Sequence, residues 1–146
     1  MDFYSFNKNV VIKNKISVRD YAALRKTADW KDIGRRQAAA GLRNSIIKIN
    51  ASIGGKTVGM ARVVGDGGYV MLIVDVVVLP EYRGKGIGTL MMEALMERIH
   101  NFIRDGEGAM VQLMSAKGRE NFYARFGFKA RPTNDLGAGM SQWIGS

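Results

Sequence analysis

The chain has 146 residues, of which 47% are hydrophobic, and it contains no cysteine. That length fits one domain with its own core, and the missing thiols exclude disulfides, thiolate metal sites and cysteine nucleophiles. Lysine and arginine number 22 against 13 acidic residues, a formal net charge of +9. The first 50 residues hold 11 basic and four acidic side chains, so most of the excess lies there. A solvated basic surface is favoured over a nucleic-acid site, because no aromatic residues are interleaved for base stacking.

Several further classes are excluded by what the sequence lacks. No apolar run is long enough to span a membrane, and residues 1–6 lack the basic start and apolar stretch of a secretion signal. With one histidine and no cysteine, a metal site is not expected, and no histidine-based triad can be built. These features favour a cytoplasmic enzyme.

Hydrophobic periodicity and turn residues predict the elements in chain order. The predicted order is strand 9–16, helix 18–27, helix 33–42, strands 45–53, 57–64 and 70–79, helix 87–102, strand 109–114, helix 118–126, and strands 128–130 and 140–144. The three central strands are joined by short glycine turns and form an antiparallel meander. The next strand follows a long helix, which predicts a parallel pair at that point.

The stretch that organises the chain is the apolar strand 70–79 with the loop and helix after it. Pro80 ends the strand because proline cannot donate to a ladder. The loop 81–88 contains three glycines and two basic residues, and it leaves bare backbone N–H groups at the positive end of a helix. Such an end binds anions, usually phosphate. A nucleotidase phosphate loop is excluded because no Ser or Thr follows Gly84-Lys85, and a dinucleotide loop is excluded by the G-x-G-x-G spacing.

Two motifs stand out in this part of the sequence. The first is Arg83-x-x-Gly86-x-Gly88, and the second is the segment 121–128, where Phe-Tyr is followed by Gly-Phe. Together they resemble the motifs of the GNAT superfamily of acetyl-CoA-dependent N-acetyltransferases. The resemblance covers roughly residues 45–130. It implies an α/β (α+β) fold with a mixed, mostly antiparallel sheet of six to seven strands and about four helices. We expect the order β-α-α-β-β-β-α-β-α-β-β and a single N-acetyltransferase domain over residues 1–146.

The resemblance also implies a cofactor, acetyl-CoA, and the residues that hold it. The loop would bind the pyrophosphate through its backbone N–H groups, and the end of the preceding strand would polarise the thioester carbonyl. The implied cofactor-binding residues are Val76, Val77, Val78, Arg83, Gly84, Lys85, Gly86, Ile87, Gly88, Thr89, Asn121 and Arg125. Tyr123 is implied as the general acid that protonates the leaving thiolate. The alternative for Tyr123 is a core aromatic residue with a structural hydrogen bond.

Asp75 is a second catalytic candidate, identified from its surroundings in the sequence. It is a carboxylate in the predicted strand 70–79, whose nine other residues are all apolar. A buried carboxylate has to be paired or shifted in pKa, so Asp75 is placed to orient the acceptor amine or to take its proton through water. The alternative is an aspartate on the edge or the solvent side of the sheet.

The function expected from the resemblance is acetyl transfer from acetyl-CoA to a primary amine, by direct attack with no covalent enzyme intermediate. The favoured acceptor is a small molecule, and a homodimer is common in similar proteins. Two alternatives stay open. One is an acyltransferase acting on a nucleic-acid-linked or protein amine, and the other is a non-catalytic acyl-CoA-binding module. No membrane partner and no metal are expected.

Overall fold

The computed structural model describes residues 9–145, so residues 1–6, where the sequence shows no secretion signal, lie outside the described part. The chain forms two compact units, one that ends at Gln112 and one that starts at Leu113. That residues 1–146 act as a single domain stays a prediction. Within residues 9–145, no helix is both long and apolar enough to cross a bilayer. The same residues contain no group of three or more histidine or acidic side chains that could hold a metal ion.

The predicted elements are confirmed in order as far as the short second-motif helix. The described elements are β1 (Val10–Lys13), α1 (Val18–Thr27), α2 (Arg35–Asn44), β2 (Ile47–Ile53), β3 (Lys56–Gly65), β4 (Val70–Val78), α3 (Ile87–Phe102), β5 (Met110–Leu113) and α4 (Glu120–Ala124). A single 3-10 turn at Pro80–Tyr82 joins β4 to the loop before α3. Ser17 caps α1, since its hydroxyl accepts the backbone N–H of Asp20 at 3.0 Å.

The two predicted strands at 128–130 and 140–144 were wrong. Both segments are irregular, so the sheet has five strands in the described residues and not six to seven. A strand needs a paired edge as well as apolar residues. Pro132 closely follows the first segment and cannot donate to a ladder. Gly139 and Gly145 flank the second segment, and glycine weakens strand structure.

The sheet is mixed, in the order β1-β2-β3-β4-β5. The first four strands pair antiparallel with their sequence neighbours. The backbone N–H of Met110, at the start of β5, donates to the carbonyl of Tyr69, directly before β4, at 2.6 Å. Strands β4 and β5 therefore start at the same end of the sheet and run parallel, as the intervening helix predicts.

Helix α3 covers one face of the sheet and provides much of the core of the first unit. Its inward side chains are at most 1% exposed and follow a three-and-four spacing: Ile87, Met91, Met92, Leu95 and Ile99. Burial of each contributes about 1.5–3 kcal/mol. Gly59 of β3 allows the close approach, because a Cβ there would lie 2.6 Å from the sulfur of Met91. Side chains alternate along a strand, so Arg62 lies on the opposite face, where it contacts α1 and α2.

Candidate functional site

The loop after β4 places two glycines in the left-handed backbone region, which glycine adopts at no steric cost. Gly84 has φ 73° and Gly86 has φ 82°. Gly86 is the N-cap of α3 and supplies no side-chain cap, so no capping side chain competes for the N–H groups of the first helical turn. The predicted residues therefore lead from the loop Arg83 to Gly86 directly into the first turn of α3, which contains Ile87, Gly88 and Thr89. This arrangement suits an anion.

Arg83 connects this loop to the end of β4. Its Nε donates to the carbonyl of Val78 at 3.0 Å, while Arg83, Gly84 and Lys85 are exposed. The structure thus brings the predicted loop residues next to the predicted strand residues Val76 to Val78. The charged side chains lie on the solvent side of the loop, where an anionic ligand has access to them.

The end of β4 directs backbone groups away from β3. The N–H of Leu79 donates to the carbonyl of Val58 in β3 at 2.8 Å. Successive N–H groups point to opposite edges of a strand, so the N–H of Val78 faces the other edge. On that side β5 starts beside Tyr69 and has only four residues, against nine in β4. At equal rise per residue, β5 runs alongside the first half of β4, and Val78 lies past its end.

A β-bulge interrupts β4 just before this segment. Arg62 pairs with Val74, and Met60 pairs with Val77, so two steps along β3 match three along β4. Asp75 is within this interval and has φ 57°, a left-handed conformation that aspartate tolerates better than most residues. The extra residue determines on which face of the sheet each later side chain of β4 lies, and toward which neighbouring strand each later N–H group points.

The carboxylate of Asp75 is held by three donors from two elements, α1 and β3. Tyr21 Oη donates to Oδ2 at 2.5 Å, Arg62 Nε donates to Oδ2 at 2.8 Å, and Arg25 Nη1 donates to Oδ1 at 3.0 Å. The side chains of Asp75 and Arg62 are 11% exposed. The prediction that a buried carboxylate here must be paired is confirmed, and the solvent-facing alternative is wrong. The catalytic role of Asp75 stays a prediction.

Tyr21 keeps its proton in this network. Burial raises the pKa of Tyr21 above its usual 10.0, and the hydrogen bond to Asp75 and the charge of that carboxylate raise it further. The positive charges of Arg62 and Arg25 oppose the shift in pKa without reversing it. At neutral pH the hydroxyl is therefore a hydrogen-bond donor to Asp75 and carries no charge.

Tyr123 belongs to the second unit, on the short helix α4. Its ring makes edge-to-face contacts with Phe122 and Phe128, at centroid distances of 5.1 and 6.5 Å. Burial raises the pKa of Tyr123 above 10.0, and the charge of Arg119 opposes that shift. Among the residues from 9 to 145, the Tyr123 hydroxyl has no hydrogen-bond partner. The structural hydrogen bond offered as its alternative role is therefore absent from this part of the chain.

Asn121 of α4 and Arg125, the C-cap residue of that helix, are both exposed. Asn121 and Arg125 are separated by four residues, so they share a face of the helix. The guanidinium of Arg125 lies 5.7 Å from the ring centroids of both Phe122 and Phe126. Cofactor contacts by Asn121 and Arg125 stay a prediction.

Comparison with known proteins assigns the family. A family model described as an acetyltransferase (GNAT) domain matches residues 46–130, which is more than half of the chain. The chain belongs to the GNAT acetyltransferase family. By family it is therefore an acyltransferase, as the two motifs indicated.

Relatives of this GNAT acetyltransferase occur among bacteria, algae and plants. A crystal structure of a Staphylococcus aureus protein of unknown function, a probable acetyltransferase, is 34% identical, with a TM-score of 0.80 over 92% of this chain and 99% of that one. The uncharacterized N-acetyltransferase ycf52 of Pyropia yezoensis is 27% identical over 89% of this chain and 71% of the alga's protein. Histone acetyltransferase TAP1 of Glycine max is 30% identical over 80% of this chain, and the match spans 54% of the soybean protein.

Sequence reasoning missed the partners of Asp75 in this GNAT acetyltransferase. Arg62 was the one that the sequence could have revealed. It is the one charge in the predicted apolar strand 57–64, as Asp75 is in the strand 70–79, and the two strands are joined by a tight turn at residues 66–69. Counting back from that turn places the two charges almost opposite each other. Tyr21 and Arg25 come from a separate helix, and no local signal connects them to β4.

The alkaline stability of the protein should depend on Tyr21. A pKa raised on folding stabilises the folded state fully below the unfolded pKa of 10.0, and that contribution is lost as the pH rises through the folded pKa. We expect Tyr21→Phe to lower the free energy of unfolding at pH 7 by about 1–3 kcal/mol, and the gap from the parent to narrow above about pH 10. Urea titrations at pH 7, 9 and 11 measure this gap.

Tyr69→Phe is the matched control for the Tyr21 substitution. Tyr69 is 65% exposed, so the free energy of unfolding should stay within about 0.5 kcal/mol of the parent at pH 7. A gap between Tyr21→Phe and the parent that stays constant from pH 7 to 11 would contradict the coupling of Tyr21 to Asp75.

Proposed function

We propose that this GNAT acetyltransferase moves the acetyl group of acetyl-CoA to a primary amine of a small molecule, by direct attack with no covalent enzyme intermediate. The observation that carries the proposal is the helix N-terminus after β4, where left-handed Gly84 and Gly86 leave the first turn of α3 without a side-chain cap. The absence of cysteine supports direct transfer, because the usual acyl-accepting thiol is missing.

The residues present fit a pyrophosphate-containing cofactor. A diphosphate needs several N–H donors in one concave turn and room for close approach to the backbone. Residues Arg83 to Thr89 would provide that turn, and the exposed Arg83 and Lys85 would add positive charge. When bound, acetyl-CoA supplies an acetyl group that is activated as a thioester. Asn121 and Arg125 are proposed as further cofactor contacts from the second unit.

Three groups of this chain are proposed to act on the reacting atoms. The outward backbone N–H groups in the segment Val76 to Val78 would donate to the thioester carbonyl and stabilise developing negative charge. Tyr123 would hold a proton for the leaving thiolate, which is supported by its raised pKa and by its unpartnered hydroxyl within residues 9–145. Asp75 would orient the acceptor amine or take its proton through water. A carboxylate has about four acceptor positions, and three are filled here, so one stays available on Oδ1.

The alternative acceptor is an amine of a protein. The name of the soybean relative, a histone acetyltransferase, favours this alternative. The charge of the present chain opposes it, because a protein of net charge +9 repels a lysine-rich tail. A small neutral or anionic amine meets no such repulsion, and we therefore favour it.

Release of free coenzyme A thiol from acetyl-CoA tests the proposed reaction. The panel contains polyamines, amino sugars, amino acids, aminoglycosides, a lysine peptide and an aminoacylated RNA. We expect turnover on one small-molecule class. Turnover on the peptide or the RNA alone would contradict the small-molecule acceptor and identify a protein amine or a nucleic-acid-linked amine as the acceptor. Tight binding of acetyl-CoA with no turnover on any amine would favour the non-catalytic binding module.

Gly86→Val should weaken coenzyme A binding by at least about tenfold, equivalent to about 1.4 kcal/mol, because the side chain fills the space beside the helix N-terminus. Isothermal titration with coenzyme A measures the affinity. Valine also strains a backbone at φ 82°, so the control must carry equal strain elsewhere. Gly55→Val provides it: Gly55 has φ 80° in the β2–β3 turn, with nothing within 4 Å of its added Cβ. Equal coenzyme A affinities in the two variants would contradict the proposal that the loop binds the cofactor.

Tyr123→Phe should lower kcat by about 10²–10⁴-fold and leave coenzyme A affinity nearly unchanged, because only the proton donor is removed. The raised pKa of Tyr123 keeps its hydroxyl protonated to beyond pH 10.0. In the parent, the fall in kcat that deprotonation of Tyr123 causes should therefore appear only above that pH. Steady-state kinetics from pH 7 to 11 test both statements. Tyr69→Phe serves as the control at an exposed tyrosine, and unchanged turnover in Tyr123→Phe would end the general-acid assignment.

A further inference from the structure

We infer that Arg62 is a positioning residue for cofactor binding: it holds Asp75 in the left-handed conformation at the β4 bulge and so fixes the direction of the Val76–Val78 backbone. This inference rests on the proposed function, because it concerns the same strand segment. It assigns a role to a residue that contacts neither the loop nor the reacting atoms in the proposed mechanism.

The bulge sets the geometry of the strand beyond it. Without the extra residue at Asp75, each later side chain of β4 would move to the other face, and each later N–H would move to the other edge. The outward N–H of Val78 would then point at β3 and not toward the cofactor side. Whatever keeps the bulge in place therefore controls which backbone groups are offered to the thioester.

The hydrogen bonds of Arg62 restrain Asp75 in its left-handed conformation. The Nε of Arg62 donates to Asp75 Oδ2 at 2.8 Å, while its Nη1 donates to the Gly41 carbonyl at 3.0 Å and to Ser45 Oγ at 2.9 Å. A Cβ at residue 41 would lie 3.3 Å from that Nη1, so glycine makes room for the guanidinium. One rigid planar group thus joins β4 to the C-terminal end of α2, where the carbonyls favour a cation.

Arg25 completes the restraint from α1. It donates to the other carboxylate oxygen of Asp75 at 3.0 Å and to the Lys31 carbonyl at 2.8 Å. With both oxygens fixed by groups from separate elements, the Asp75 side chain cannot turn without breaking an ion pair. The left-handed backbone at Asp75 is therefore stabilised by contacts on the helix-covered face opposite α3.

A glycine substitution at residue 75 distinguishes this role from general packing, because glycine adopts φ 57° without a side chain that has to be held. We expect Arg62→Met to weaken acetyl-CoA binding by about tenfold, and Asp75→Gly to stay within about threefold of the parent, although both lower the free energy of unfolding. In the Asp75→Gly background, adding Arg62→Met should cause no further loss of affinity. Arg43→Met, at an exposed arginine of α2, is the matched control and should bind like the parent.

Isothermal titration with acetyl-CoA, in the absence of an amine, gives the affinities, and urea titration gives the stabilities. Parent-like affinity in Arg62→Met would overturn the inference, since the ion pair would then be structural only. An equal loss of affinity from Arg62→Met in the parent and in the Asp75→Gly background would also overturn it, because Arg62 would then act without Asp75.

A second measurement separates this inference from the proposed function. The nuclear Overhauser contact between the backbones of Met60 and Val77 reports the register beyond the bulge. It should be lost in Arg62→Met and restored in Arg62→Met/Asp75→Gly, whether or not coenzyme A binds. A parent that binds no coenzyme A would refute the proposed function, and the Met60–Val77 contact would still decide the role of Arg62.

Discussion

The ion pair between Arg62 and Asp75 is the interaction on which the arrangement of this sheet depends. Transferring a lone carboxylate from water to the space between a sheet and a helix costs several kcal/mol, so the site is tolerable only when the charge is paired and its oxygens are bonded. Two arginines and a tyrosine supply these partners. Because the partners come from α1 and β3, and Arg62 also binds α2, satisfying one carboxylate ties three elements to β4.

The same charge arrangement leaves one positive charge in excess. Asp75 offsets one of the two guanidinium groups, and both arginines are largely buried, at 11% and 14% exposed. The rings of Tyr21 and Trp30 lie 5.6 and 5.4 Å from the Arg25 guanidinium, and cation–π attraction offsets part of its desolvation. Breaking the network by removing Asp75 would leave two buried cations facing each other, which is why pairing, and not the carboxylate alone, maintains the structure.

The elements of the first unit could be predicted because local chemistry specifies them. Helix α3 has a strict three-and-four apolar spacing, and its ends, Ile87–Phe102, follow from the glycine loop and the end of that pattern. The bulge could not be predicted, because no glycine or other turn residue marks it within the apolar strand, and two of the partners that hold Asp75 lie about 50 residues away in α1. The strands expected at 128–130 and 140–144 failed for the related reason that apolar composition does not supply a pairing edge.

Three residues of the candidate site have left-handed backbone. Asp75, Gly84 and Gly86 all have φ between 57° and 82°, and in the residues from 9 to 145 Asp29 is the one other non-glycine residue of this kind. At the loop the conformation has no steric cost, because glycine has no Cβ. At Asp75 it does have a cost, and the ion pairs offset it. A glycine at residue 75 would remove that strain, but it would also remove the anchor that binds β4 to α1 and α2. An aspartate there combines a tolerated left-handed backbone with a side chain that two arginines can hold, and this combination explains why the strand that supports the site contains a charge at its centre.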